Sequence, residues 1–414
     1  MEPSAVYKFI LFIALVQIVV DSYVNAAWGR FVRKRGWNGL FSTFAWVASA
    51  VIFCVGLFSA YRRLSSDGLS GYDMILQHLV WLWYAPKLPI AVVLLIKDII
   101  RLIIWIRRKI RTALESEDSF SKQKQTPIAT SVARRDFLQK TGWALASAPF
   151  GIVANGMFGT LYDFQIKNVV LRISGLPFAL EGLRITQISD IHAGSFISTS
   201  PIREAGRLIR EQNTDMIVVT GDFVNFHPSE LPTIYRELEL LKAPLGVYGI
   251  LGNHDHFMSL KQHAELKTAI KKTAIDLLVN ENRIIKIDGA GLAIAGTDNT
   301  GFNQYFARLD HALSGIEPDI TTVLLAHDPT FWDKEVRGKA HADIMLSGHT
   351  HGGQVAFAVP GLTLSPAQIV YKQWAGLYTD KNQQLYVNCG LGTVGPPLRI
   401  GIPPEITVLT LTRG

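Results

Sequence analysis

The sequence predicts an α/β domain preceded by a helical membrane region. Three observations carry this. From residue 161 onward, short apolar strand-like runs alternate with helical stretches. Residues 1–110 instead hold long apolar stretches; one of them, 41–60 (FSTFAWVASAVIFCVGLFSA), is twenty residues without a charge, the length a helix needs to cross the hydrocarbon of a bilayer. Charge divides along the same line: residues 1–140 carry 19 Lys+Arg against 9 Asp+Glu, and residues 141–414 carry 22 against 25.

That division decides how the basic balance is read. A net charge of +7 and a pI near 9.3 would suit nucleic-acid binding if spread over a globular surface. Here the excess lies between apolar spans, where membrane topology explains it, and no nucleic-acid partner is expected. At 414 residues the chain has room for more than one core. Its two cysteines, Cys54 inside the apolar run and Cys389 near the end, make neither a disulfide framework nor a Cys-rich metal site.

Taken in order, residues 1–111 read as transmembrane helices and an interfacial helix. Residues 7–28 form a span beside 41–60, with Asp21 read as a solvated carboxylate near the interface. Residues 74–96 read as a third span, with Lys87 facing a neighbour or snorkelling. The next stretch, 97–111 (KDIIRLIIWIRRKIR), places Lys97, Arg101 and Arg108 on one face and reads as an amphipathic helix at an anionic surface; a single long tilted helix is the alternative. Residues 112–141 form a polar cytoplasmic linker. Its end, 133–140 (ARRDFLQK), resembles a twin-arginine export signal set inward from the N-terminus. With the apolar segment 142–162 it reads as that signal or as a fourth membrane helix. Lys and Arg crowd 29–40 and 107–140 but number two in 61–73. The positive-inside rule then puts 163–414 on the non-cytoplasmic side of a multi-pass cell-membrane protein.

Within 163–414, strands are expected at 169–173, 183–189, 216–220, 247–251, 283–287, 292–295, 321–326, 344–346, 384–387 and 406–411, and helices at 201–212, 228–242, 260–273 and 303–314. Five short segments carry the chemistry: Asp190-Ile191-His192, Gly221-Asp222, Gly252-Asn253-His254-Asp255, Ala326-His327-Asp328 and Gly348-His349-Thr350-His351. Several follow directly on a strand. In open α/β sheets functional groups collect beyond the carboxyl ends of strands. Asp, Asn and His gathered there suit hard or borderline divalent metals without thiolate. Any one of these histidines alone is most simply a structural one; five of eleven at motif positions are not.

This ordered set resembles the calcineurin-like metallophosphoesterase superfamily, over about residues 165–412. The strings 347–355 (SGHTHGGQV) and 386–411 (YVNCGLGTVGPPLRIGIPPEITVLTL) resemble its membrane-associated, YkuE-like branch. The resemblance implies a four-layer α/β/β/α sandwich and two divalent metals, with Mn, Fe or Zn suiting mixed His and carboxylate ligation. It implies Asp190, His192 and His351 on one metal, Asn253, His327 and His349 on the other, and Asp222 bridging. Two such metals stabilise both attacking and leaving oxygens and acidify a water. His254 would contact a phosphate oxygen or protonate the leaving group. Related phosphatases orient this histidine with an Asp; Asn225 stands there in this chain. Asp255 is read as stabilising its loop, His227 and His256 as local or rim residues, and Cys389 as replacing an Arg common among relatives. Asn225, His254 and Tyr371 are the candidate substrate contacts.

The expected function is hydrolysis of a phosphodiester, pyrophosphate or phosphomonoester, with a lipid-linked substrate suggested by the membrane anchor and membrane lipids as partners. The alternative is a metal-binding membrane scaffold with little catalysis.

Overall fold

The computed structural model describes residues 3–65, 71–115, 141–143, 145–359 and 362–414. The stretch 116–140, with the twin-arginine motif, lies outside the described residues. The chain divides into two units, Met1–Ala60 with Leu79–Ala154, and Tyr61–His78 with Asn155–Gly414.

Among the described residues up to 160 the regular elements are helices: α1 (Pro3–Lys34), α2 (Leu40–Ser65), α3 (Gly71–Tyr84), α4 (Lys87–Glu115) and α5 (Ala148–Phe158). Three stretches among the described residues are long and apolar enough to cross a membrane: Ile10–Lys34, Leu40–Arg62 and Thr141–Tyr162. These match the expected first, second and last spans. The expected span at 74–96 is not one helix. The chain breaks at Ala85 and Pro86, because proline has no N–H and disfavours helical backbone in the residue before it. The basic segment 97–111 is therefore the continuation of α4 and not a separate helix.

Asp21 also differs from its reading as a solvated carboxylate. It is buried, and accepts hydrogen bonds from Lys87 Nζ (2.5 Å), Tyr84 Oη (2.8 Å) and Ser49 Oγ (2.9 Å). Ser49 Oγ in turn lies 2.9 Å from Asn25 Nδ2 and 3.0 Å from Lys87 Nζ. Donors from three separate helices converge on one carboxylate, which spacing along the chain does not reveal.

The remainder holds fourteen strands among the described residues. In chain order they are β1 (Gln165–Ile173), β2 (Arg184–Ile188), β3 (Met216–Val219), β4 (Val247–Gly249), β5 (Asp276–Leu277), β6 (Glu281–Ile287) and β7 (Ala290–Gly296). Then follow β8 (Thr321–Leu325), β9 (Ile344–Ser347), β10 (Phe357–Val359), β11 (Leu362–Leu364), β12 (Gly376–Asp380), β13 (Gln383–Val387) and β14 (Glu405–Arg413). All ten expected strands are present; β5, β10, β11 and β12 are additional. One sheet runs β1-β14-β2-β3-β4-β5 and the other β12-β13-β9-β8-β7-β6, with β10 and β11 a separate pair. Strands β2 to β5 are mutually parallel, as are β7, β8, β9 and β13.

Alternation along each strand builds the layers. Met216 and Val218 of β3, Val323 and Leu325 of β8 and Leu346 of β9 meet in a core between the sheets. Ile217 and Val219 turn outward onto α6 (Ser200–Glu211), α7 (Tyr235–Glu239) and α8 (Leu260–Ile270). On the other outer face Leu324 and Met345 pack under Phe331, Trp332 and Val336. The result is the four-layer α/β/β/α sandwich. Its fourth layer is thin: the helix expected at 303–314 is only α9 (Leu309–Ala312). The helix expected at 228–242 is a 3₁₀ segment, Pro228–Thr233, followed by α7, because Pro232 interrupts the pattern. A last short helix, α10 (Ala367–Val370), follows β11.

Candidate metal centre

The motif residues converge at the carboxyl ends of β2, β3, β4, β8 and β9. Backbone bonds tie the loops together there: Asp190 N donates to Gly221 O, His192 N to Asp222 O, and Gly348 N to His327 O, each at 3.0 Å. A Cβ on Gly348 would collide with Ser189 and the Asp190 carboxylate, and one on Gly252 with the Asp222 carboxylate. These two glycines are required by close approach.

Two groups of three buried donors result, Asp190–His192–His351 and Asp222–His327–His349, the donor atoms of each lying within 4.8 Å of one another. Asp222 stands between the groups: its Oδ2 is 3.2 Å from His327 Nε2 and 3.5 Å from His192 Nε2. His351 Nε2 lies 3.3 Å from Asp190 Oδ1 and 3.2 Å from His192 Nε2. Asn253 Oδ1 is 3.2 Å from His327 Nε2, and His349 Nδ1 is 3.3 Å from the same nitrogen. The seven residues expected to ligate metal are thus all brought together.

The donor set fits divalent cations. Burial, reinforced by neighbouring imidazoles, holds His192 at about 3 and His351 well below its ordinary value; burial likewise takes His349 to about 4. All three are neutral, the form that ligates. Burial works against charge on Asp222, but His327 and His254 outweigh it and keep the carboxyl well below the usual range. His327, despite burial, is raised to about 10 by the Asp222 and Asp190 carboxylates, whose negative charge a bound cation would offset. Asn253 Nδ2 and the Nδ1 atoms of His192 and His351 are buried with no partner among the described residues; the atoms that face the other donors are Asn253 Oδ1 and the two Nε2 atoms. Five of the seven residues hold left-handed backbone: Asp190 (φ 48°), His192 (45°), Asp222 (56°), His349 (71°) and His351 (51°). For residues other than glycine this costs of order 1–3 kcal/mol each. The fold aims these side chains at the expense of its own stability.

Around the donors sits a positioning shell. His327 Nδ1 is 2.7 Å from Thr220 O, and His349 Nε2 is 2.9 Å from Tyr371 Oη. Asp255 accepts from the N–H groups of Asp222, Phe223 and Gly252 at 3.0 Å and of Val224 at 3.3 Å, which is the loop-stabilising part expected of it. Burial and the Asp222 charge push its carboxyl up to about 8, against those four donors.

His254 Nδ1 donates to the backbone carbonyl of Asn225 at 2.7 Å. The orienting group is therefore main chain, and the change from Asp to Asn does not remove it. The ring stands edge-on to His192, with centroids 4.8 Å apart. Glu230 holds this arrangement, its buried carboxylate accepting from Asn225 N (2.6 Å) and Phe226 N (3.1 Å). Nothing in the sequence marks Glu230, one of three glutamates in the helix-like stretch 228–242. Phe226, Phe257 and Phe302 surround His254 and His349: Phe226 and Phe257 lie 5.4 and 4.8 Å from His254, and Phe302 5.7 Å from His349. Nothing in the sequence marks these three phenylalanines. His227 caps the 3₁₀ segment through Ser229 N, and His256 pairs with Asp298 at 2.7 Å. Cys389 packs with Ala356 and Ile402.

Comparison with known proteins agrees with this geometry. Residues 7–160 match the model described as "Probable Calcineurin-like phosphoesterase, transmembrane domain", and residues 183–353 match "Calcineurin-like phosphoesterase". Over 301 residues the chain is 30% identical to metallophosphoesterase YkuE of Bacillus subtilis, covering 68% of this chain and 98% of that one. It is 27% identical over 282 residues to phosphodiesterase YaeI of Escherichia coli, covering 68% and 99%. A Bos taurus transmembrane protein with a metallophosphoesterase domain is 30% identical over 269 residues, covering 62% of this chain; the match spans only 59% of that protein. The chain belongs to the calcineurin-like metallophosphoesterases, a family of metal-dependent phosphoric ester hydrolases, and carries the family's transmembrane region as well.

Proposed function

We propose that this protein is a membrane-anchored phosphoesterase working with two divalent metals, its catalytic domain on the non-cytoplasmic side. The observation that carries this is the Asp222 carboxylate lying between two buried donor groups. Asp190, His192 and His351 would hold one ion, Asn253, His327 and His349 the other, with Asp222 shared. Mn, Fe or Zn suits these donors, and the bound pair would neutralise phosphate oxygens and acidify the attacking water.

The protein's own residues supply the rest. Because Nδ1 of His254 is committed to the Asn225 carbonyl, Nε2 is the nitrogen left for substrate. Protonated, it donates to a phosphate or leaving-group oxygen; neutral, it accepts. Phe226, Phe257 and Phe302 favour a phosphoester whose leaving group is apolar or carries a flat ring. With the membrane anchor, this supports a lipid-linked phosphodiester or pyrophosphate over a small monoester.

The test uses the full chain in detergent, loaded with Mn²⁺, on bis(p-nitrophenyl) phosphate and p-nitrophenyl phosphate, beside Asp222→Asn. Expected are two metals per chain and diester turnover that the variant lacks. Two bound metals with no turnover of either ester would favour the scaffold reading.

A further inference from the structure

Between Ile344 and Tyr371 the chain holds no Asp, Glu, Lys or Arg. The first part of this run is β9 and the metal-site turn. The second part is the β10–β11 pair, which forms a sheet of its own with every residue exposed. Phe357 pairs with Leu364, Ala358 with Thr363 and Val359 with Leu362. Side chains alternate between faces along a strand, and directly paired residues share a face. Phe357, Val359, Leu362 and Leu364 therefore make one continuous apolar face, each more than half exposed. Ile369 and Val370 of α10 follow, 87% and 71% exposed.

An isolated two-stranded hairpin is marginal in water, and an uncovered apolar patch of this kind marks a binding surface. We propose that this hairpin, with Ile369 and Val370, is a membrane-docking wedge that sets the metal centre against the lipid headgroup layer.

Three features favour a bilayer as the occupant. The candidate span Thr141–Tyr162 ends two residues before β1; at no more than about 3.6 Å per residue, that connection keeps the domain at a bilayer surface. The run is apolar and uncharged and is followed by exposed Lys372, a residue type that lays its stem on apolar surface and keeps its charge at the headgroup level. The wedge is also fastened to the metal-site loop. Ser365 Oγ donates to Gly352 O at 2.7 Å, Thr350 Oγ1 donates to Trp374 O at 2.6 Å, and Tyr371 Oη lies 2.9 Å from His349 Nε2. Docking itself requires no catalysis. Its consequence, that the ester hydrolysed sits in the headgroup layer, rests on the phosphoesterase reading.

The test is a spin label on Leu362→Cys in the full chain with Cys54→Ser, reconstituted in nanodiscs of phosphatidylglycerol and phosphatidylcholine. Glu265→Cys, at an exposed position of α8, is the water-facing control; native Cys389 is buried and unreactive. Power saturation should show the label at 362 more accessible to oxygen than to a polar nickel chelate, with the opposite order at 265. Equal nickel access at both positions would overturn the proposal. So would strong dipolar broadening at 362 that disappears on dilution with unlabelled protein, which would give the face to a second copy of the chain. Neither readout depends on turnover, so failure of the phosphoesterase reading would register separately, in the assay with the soluble diester.

Discussion

The molecule buries two polar clusters, and they are built on opposite plans. Around Asp21 in the helical region, one carboxylate meets one ammonium and two hydroxyls, all donating to it, on helical backbone. Charge and hydrogen bonds close within the cluster. Around Asp222, carboxylates and imidazoles crowd together with five of their residues in left-handed backbone. That cluster's facing oxygens and imidazole nitrogens, within 4.8 Å of one another in each group, are the atom types that ligate divalent cations. Buried polar groups that satisfy one another hold helices together; those that cannot are the ones arranged for a ligand.

The contrast breaks most sharply at Asp222. Asp222→Ala should lose both metals in elemental analysis and take hydrolysis to background, whereas His192→Ala should weaken mainly one site. In the intact protein, Mn²⁺ at about a hundred times its Kd should raise unfolding free energy by about 2.7 kcal/mol per site, and a chelator should reverse this. Retention of full metal occupancy by Asp222→Ala would remove the bridge.

The closed cluster should respond to loss of balance and not to metal. Lys87→Met leaves Asp21 buried and unpaired, at a cost of about 3–5 kcal/mol. Asp21→Asn combined with Lys87→Met should recover most of it, because no lone charge remains. Thermal unfolding in detergent reads both. Equal losses for the single and double variants would mean that the ion pair is not what holds these helices.

A smaller effect separates chemistry from ligation. His254→Ala should keep both metals and lower turnover by about 10²-fold, near the low end for general acid catalysis. The loss should shrink for esters with good leaving groups. The same loss for every leaving group would assign His254 to phosphate binding.

The mildest change probes the positioning shell. Tyr371→Phe removes the partner of His349 Nε2, and loss of such outer contacts typically costs 10–100-fold in metal affinity or activity. About tenfold weaker metal binding is expected, with KM for a soluble diester little changed. A KM effect at unaltered metal affinity would move Tyr371 to substrate contact.

Much of this was legible in the chain. Runs such as MIVV and VLL are apolar throughout because parallel strands between two layers are buried on both faces, and their short length between turn signals marks them as strands. The ligand residues were legible because metal chemistry restricts them to few residue types beside glycine. What failed was local order governed by a single proline or by neighbours: the break at Pro86, the interrupted helix at Pro232, and the two-residue strand β5, too short to carry a pattern.

The sequence by itself determined the two-part architecture, the ten main strands and the five motif segments, since hydrophobic period, charge distribution and donor type are properties of residues in a line; the family resemblance singled out the seven candidate ligands within those segments. Only the tertiary structure decided that Asp222 stands between two donor groups, that a backbone carbonyl and not the Asn225 side chain holds His254, that Glu230 braces that loop, and that Asp21 is buried against Lys87. Each of these depends on groups far apart in the chain, or on main-chain atoms that every residue carries, and so leaves no mark on the identity of any one residue.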